Sequence, residues 1–297
     1  MKAKRRFNIW LWVLLCVPCL LASCDHDVHD GEDEGGLSVS LTWADEADQG
    51  TDVKDVKLWI FNADDGSLVE EKHYGSAQEV ASQRFQLPEG TYRILTTTNL
   101  TEPFFISEQT RSLTNWNNIQ IGLTNPKDVR NNAYFGVTDV KIDNKEGNYV
   151  VQNPIKSVLA ELTIIIENIP KGTEMSGKAL DCAWCLFPTQ KNSDGDYGLP
   201  SIEPTEVELP TLLATESTLK SEVIRLMPTI QGSSASHIYL RLLLPNETLQ
   251  EFDITAPMMK VGGKYELRFK YEEMQPKMNL DATINGWTNL NNEVETK

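Results

Sequence analysis

The chain has 297 residues, with 27 Lys+Arg against 43 Asp+Glu, a formal net charge of −16, 40% hydrophobic residues and five Cys. The four basic residues of the first 23 positions (Lys2, Lys4, Arg5 and Arg6) fall in an acid-free segment read below as removed; without it, 23 basic residues face 43 acidic ones, a net −20. That balance excludes a nucleic-acid binder, whose affinity comes from Lys and Arg on phosphates, and a protein held to anionic lipid by a basic patch, while the length allows one large or two medium domains with real cores.

The N-terminus reads Met-Lys-Ala-Lys-Arg-Arg, followed by an apolar run from Ile9 to Ala22 and then Leu21-Ala22-Ser23-Cys24. A basic start, an apolar stretch of about a dozen residues and small residues before a cut make a secretory signal. The run is too short for a spanning helix, which needs about 20 apolar residues, and Pro18 interrupts it. Leu21-Ala22-Ser23-Cys24 resembles the lipobox of bacterial lipoproteins. There the Cys sulfur carries the lipid, and small neighbours let the peptidase close on the bond. Cys24 is therefore the expected lipid attachment site, and several acyl chains such as palmitate at about 0.8 kcal/mol per buried CH₂ give stable anchoring. The segment Asp25–Gly36 follows, with six acids and three Gly in twelve residues. It reads as a disordered, self-repelling tether. His26 and His29 lie among its carboxylates, but a flexible tether must bear the whole ordering cost of holding a metal, so a solvated tether is the simpler reading. The acidic stretch after the Cys also resembles the export signals of surface lipoproteins in Bacteroidetes-type bacteria.

Cys16 and Cys19 leave with the signal, so Cys182 and Cys185, spaced Cys-Ala-Trp-Cys, are the pair that remains. The spacing fits a redox motif, half a zinc site or a small loop disulfide. No second CxxC or nearby His completes a metal site, and the surroundings read as a strand ending at Pro188 rather than a strand-to-helix turn. Two structural cysteines, paired or buried, are expected.

From Leu37 onward the pattern is alternation. Leu37, Val39, Leu41 and Trp43 share one face and Ser38, Ser40 and Thr42 the other, a period-2 strand. Val53 to Phe61 is a denser strand, and Asn62-Ala63-Asp64-Asp65-Gly66 supplies a hairpin turn before Ser67-Leu68-Val69. The Asp64-Asp65-Gly66 run lacks the remaining ligands of a calcium loop. Pro88-Glu89-Gly90 turns the chain into a strand with Tyr92, Ile94 and Thr96 on one face. Residues 101–120 leave room for a short helix, Tyr134–Val137 is an aromatic strand, and Asp143–Asn148 a second turn.

The pattern then restarts. Ile155 to Ile169 reads as one long strand, followed by a Pro170-Lys171-Gly172 turn, the Cys182 strand and a polar loop from Thr189 to Pro210. Later strands are expected over Glu222–Met227, His237–Leu244, Gly263–Tyr271 and Met278–Ile284. Short strands between Gly, Pro and Asn turns, with no convincing helix of 15 residues, point to β-sandwiches. A boundary near residue 150 divides the chain into a signal (1–23), a tether (24–36), and two β-sandwiches (37–150 and 151–297). The chain has no nucleophile elbow, P-loop, HExxH or Gly-rich dinucleotide turn. His73 and His237 stand alone beside strands. No residue carries a catalytic, cofactor or metal assignment, and the chain is not expected to be an enzyme.

Together, the lipobox Cys24, Leu37–Trp43, Val56–Val69, Leu87-Pro88-Glu89-Gly90-Thr91-Tyr92, Arg225-Leu226-Met227-Pro228 and Ile284-Asn285-Gly286-Trp287 resemble the FimB-type fimbrial anchor subunits of Bacteroidetes-type bacteria. The resemblance implies an all-β chain of two transthyretin-like β-sandwich domains in tandem. It implies an outer-membrane lipoprotein, held through Cys24 and exposed at the surface, that sits at a fimbrium base, anchors the fibre and limits its length. Its partners are then fimbrial subunits and the membrane, with no cofactor and no nucleic acid. Joining to the neighbouring subunit by strand complementation follows from sheet physics, because an unpaired edge templates a strand of another chain. Ile155-Lys156 departs from the family pattern, where many relatives carry Arg. The alternative is a surface lipoprotein that binds glycan or another ligand, with Trp43, Trp59, Trp116, Trp184 and Trp287 as candidate stacking platforms.

Overall fold

The computed structural model of the chain describes residues 35–107, 115–126, 129, 131–274 and 288–289. The fold is an all-β sandwich architecture, as the alternation predicts. The chain opens with β1 (Gly36–Trp43), β2 (Lys54–Asn62) and β3 (Leu68–Ser76), then a one-turn helix α1 (Ala77–Ala81) and β4 (Gly90–Thr98). Short strands β5 (Phe104–Ser107) and β6 (Gln120–Leu123) precede β7 (Tyr134–Ile142) and β8 (Asn148–Ser157). One six-stranded sheet has the order β1-β8-β7-β4-β2-β3. Its centre explains the dense sequence of β2. Leu58 and Ile60 bury into a cluster with Leu37, Val39, Tyr92 and Ile94, while Trp59 and Phe61 bury into a second cluster on the other face. A strand with core on both sides needs apolar residues at every position.

The later strands are β9 (Ala160–Glu167), β10 (Glu174–Ala183), β11 (Cys185–Lys191), β12 (Tyr197–Pro200) and β13 (Pro204–Leu213). They continue with β14 (Thr218–Lys220), β15 (Ile224–Leu226), β16 (Ala235–Leu243), β17 (Leu249–Pro257), β18 (Lys264–Lys270) and β19 (Thr288–Asn289). They supply the sheets β13-β10-β16-β17 and β14-β9-β18-β19, with β15 paired to β9. The remaining sheet is composite: β12-β11-β6-β5 joins a hairpin from residues 185–200 to strands from residues 104–123. One hydrophobic cluster therefore runs from Trp59 and Phe135 through Val158, Leu159 and Leu186 to Leu240 and Leu267.

Several expectations are corrected. The long strand expected over 155–169 is two strands, β8 and β9, broken at Val158-Leu159. Both residues are fully buried, so the chain crosses between sheets through the core while keeping its apolar character. The strand expected to run through Cys182 and end at Pro188 is likewise two strands, β10 ending at Ala183 and β11 running from Cys185 to Lys191, broken at Trp184. The register of β11 against β12 shifts between Phe187 and Lys191, and such an irregularity is where a residue without an N–H can sit in a sheet. The polar loop expected from Thr189 to Pro210 contains β12 and most of β13, and β17 has no counterpart among the expected strands. Residues 101–120 hold β5 and a three-residue 3₁₀ turn, Trp116–Asn118, among the described residues. The strand expected at Met278–Ile284 and the Ile284–Trp287 motif lie outside the described residues.

The ladders also order the ends of the fold. Gly36 pairs with Asn148 and Gly90 with Ile142, so these residues share one end. β1 and β8 run in parallel from there to Trp43 and Ile155. β9 and β18 then run in parallel away from that junction, ending at Glu167 and Lys270.

Candidate functional site

Cys24, the predicted lipid site, lies outside the described residues, as does the acidic segment up to Glu34. The arrival of that segment at the fold is well defined. The Gly35 carbonyl accepts a hydrogen bond from Gln86 Nε2, and Gly36 N donates to Gly147 O at 2.7 Å. A Cβ on Gly35 would lie 2.2 Å from the Glu146 carbonyl oxygen, so this doublet is glycine because the chain threads against backbone. Leu37 then exchanges backbone bonds with Phe85 at 3.0 and 2.9 Å, and eight consecutive residues of β1 pair with β8.

The outer strands of the sheets differ in how they are protected. β13 carries Pro204 and Pro210 and two register shifts; β3 carries Glu70, Glu71 and Lys72 and a shift opposite Ile60 and Phe61. Bulges, prolines and charges are the usual means of blunting an edge. β17 has none of the first two within its run: its nine residues pair without interruption with β16, and its Pro is the terminal Pro257. Among the described residues it has one strand neighbour.

The two halves of the chain are held by charge and aromatic contacts. Arg93 of β4 makes a bidentate pair with Asp139, Nε to Oδ1 at 2.7 Å and Nη2 to Oδ2 at 3.0 Å. Its guanidinium lies 3.9 Å from the Trp116 ring centroid and 4.9 Å from that of Tyr197. Tyr197 Oη also donates to Asp139 Oδ2 at 2.8 Å. Burial alone would raise the Asp139 carboxyl, but the hydrogen bonds from Arg93 and Tyr197 hold it below the ordinary carboxylate range. Lys264, at the start of β18, bonds Asp45 Oδ2 at 2.7 Å and Asp48 Oδ1 at 3.3 Å. Burial would lower its ammonium, yet the two carboxylates hold it above its usual value.

The other chemistry-bearing residues sit apart. Cys182 and Cys185 are both buried and unbridged. Burial pushes the Cys182 thiol up to about 12 and raises Cys185 as well, so neither offers a thiolate near neutral pH. His73 meets Asp55 at 2.6 Å, and His237 bonds Asp181. No group of three or more His, Cys, Asp or Glu suited to a metal occurs among the described residues. Asn62–Gly66 forms a turn, with Gly66 at φ +74°. Of the tryptophans, Trp59 is fully buried, Trp43 packs edge-on against Tyr134 at 4.9 Å and Trp116 is covered by Arg93. Trp184 is 43% exposed and leans on Phe105 at 5.4 Å. Trp287 lies outside the described residues.

The model of the fimbrillin-A associated anchor proteins Mfa1 and Mfa2 matches residues 24–293. The chain belongs to this family of fimbrial anchor proteins. The fold agrees with solved structures of low sequence identity. The fimbrial anchor protein Mfa2 from Porphyromonas gingivalis is 13% identical, with a TM-score of 0.55 over 78% of this chain and 90% of that one. A candidate adhesin from Bacteroides thetaiotaomicron is 10% identical, with a TM-score of 0.54 over 80% and 92%. A candidate polysaccharide-binding protein from the same species is 10% identical, with a TM-score of 0.52 over 80% and 93%. A search of curated protein sequences gave no match.

A fimbrial anchor protein is not an enzyme class, and its features of interest are surfaces rather than a pocket. The sequence singled out the tether and its Cys. It did not single out the Arg93 clamp, whose four side chains are up to 104 positions apart in the chain, or the edges, which exist only once the strand order is known. The Leu87-Pro88-Glu89-Gly90-Thr91-Tyr92 motif was legible and has a physical reason: Tyr92 Oη donates to Pro88 O at 2.9 Å and closes the turn.

Proposed function

We propose that this fimbrial anchor protein is an outer-membrane lipoprotein, exposed at the surface, that holds the base of a fimbrium through acyl chains on Cys24 and limits the length of the fibre. The observation that carries the reading is the family membership together with the pinned arrival of the tether. A pull on the fibre against the lipid loads β1 along its own axis. A strand pulled lengthwise must break its ladder bonds together rather than one after another, so eight parallel register pairs with β8 make a strong mooring. Strand complementation with the neighbouring subunit is supported by the unbroken outer strand β17. We also place the division of the two sandwiches at the Ser157–Ala160 crossing rather than at residue 150, which falls inside β8. The second sandwich then lends the β11–β12 hairpin to the first.

Replacing the anchoring sulfur tests the reading. Cys24→Ser is expected to release the protein from the membrane fraction while the fold persists. Unchanged membrane fractionation would contradict lipid anchoring.

A further inference from the structure

In the sheet β13-β10-β16-β17, alternation turns Met175, Leu240, Leu242 and Phe252 inward, all buried. The outward positions should then be polar, and most are. Arg241 meets Glu251 at 3.6 Å, and Lys178 meets Glu206 at 3.0 Å. The row at the end of the sheet breaks the pattern. Leu213, Glu174, Leu243 and Leu249 are direct partners across all four strands, so their side chains share the outer face. The three leucines are 61, 42 and 45% exposed. Directly opposed residues such as Leu243 and Leu249 stand about 5 Å apart, and three strand spacings make a row of about 15 Å. Leu243 and Leu249 adjoin, Leu213 stands beyond Glu174, and apolar side chains gathered on one outward face with a single charge among them suit a partner surface of matching character.

We propose that this row seats the next fimbrial subunit, taking an apolar patch that carries one basic side chain opposite Glu174. The proposal rests on the anchor reading above. The lipid tether reaches the fold at Gly36, beside Asn148. Glu174 follows Glu167 around the Pro170-Lys171-Gly172 turn at the far end of the other half. With the membrane on the tether side, the row lies on the side of its sheet, at the end away from the Ser157–Ala160 crossing, within reach of a subunit that continues the fibre. Glu174 within the row and a net charge of −16 disfavour an anionic lipid surface as the occupant. The row also lies beside the point where the chain passes residue 274, since Tyr271 Oη donates to Gln250 Oε1, next to Leu249, at 3.2 Å.

The test is site-specific photo-crosslinking of the full chain in fimbriated cells, with benzoyl-phenylalanine at Leu243, at Leu249 or, as a control in the other half, at the exposed Val150. The expected result is a crosslink to a fimbrial subunit from Leu243 and Leu249 and none from Val150. A crosslink to a subunit from Val150 alone overturns the surface and leaves the anchor reading intact. Crosslinks from the row to the chain's own residues after 274, or to lipid, overturn the proposal by naming a different occupant. The double variant Leu243→Ser, Leu249→Ser removes two exposed side chains and leaves the core whole. It should keep its melting temperature and membrane fractionation but retain subunit at the base about tenfold less well. Unchanged retention overturns the proposal. Separately, normal fimbriae in cells lacking the gene would defeat the anchor reading itself.

Discussion

At the scale of single residues, the Arg93 clamp is the contact whose loss the fold should feel most outside the core. Its planar fork serves Asp139 bidentately while the guanidinium lies against the Trp116 and Tyr197 rings, which a lysine cannot reproduce. Arg93→Lys is expected to cost about 1–2 kcal/mol and Arg93→Ala about 2–3 kcal/mol in denaturant unfolding. A variant as stable as the parent would show the stack to be incidental. The pH dependence follows from the carboxylates. Asp139 and Asp45 are held below their ordinary values, so they contribute stability above the usual carboxylate range and lose it as pH falls through their folded values. The melting temperature should fall below pH of about 4, and the fall should be shallower in Arg93→Ala. Asn153 makes a comparable prediction inside the six-stranded sheet. It is fully buried, its Nδ2 donates to Thr96 Oγ1 at 2.9 Å and its Oδ1 accepts from Thr138 at 3.0 Å. Asn153→Leu leaves those partners facing an apolar group and should destabilise by about 2–3 kcal/mol.

At the scale of elements, the strand faces were legible wherever burial was one-sided or complete. β1, β2, β4, β7, β16 and β18 fall within a few residues of their expected places because alternation or a continuous apolar run leaves few other readings. β13 was lost because Pro204 and Pro210 read as loop, although Val207 and Leu209 already alternate with Glu206 and Glu208; an outer strand with bulges tolerates what a central one does not. Long-range pairing left no local trace. Nothing near Leu37 announces that β1 lies parallel to a strand 112 residues later, or that the hairpin after Cys185 joins β6. Gly177 in β10 records one such pairing: a Cβ there would lie 2.3 Å from the Tyr239 carbonyl oxygen on β16. Gly177→Ala should therefore cost about 1–3 kcal/mol in thermal or denaturant unfolding, and a neutral effect would mean the two strands are spaced more widely than described.

At the scale of the whole molecule, composition and architecture give one account. The acids concentrate in the segment after Cys24, six in twelve residues, and otherwise coat the outer faces of the sheets, while the apolar residues fill two clusters, one within the first half and one that ties both halves together. In the proposed reading, the exposed leucine row and the arrival of the tether at Gly36 set the direction from membrane to fibre. Cys24, the proposed attachment site, is of a kind that a short motif suffices to specify. The proposed partner surfaces depend on strand order and register, and so are visible only in the fold. The central claim is that this protein moors a fimbrium and sets its length. Electron microscopy of cells with the gene deleted tests it most directly: the account predicts fimbriae that are shed into the medium and longer than normal, and fimbriae that stay attached at normal length would contradict it.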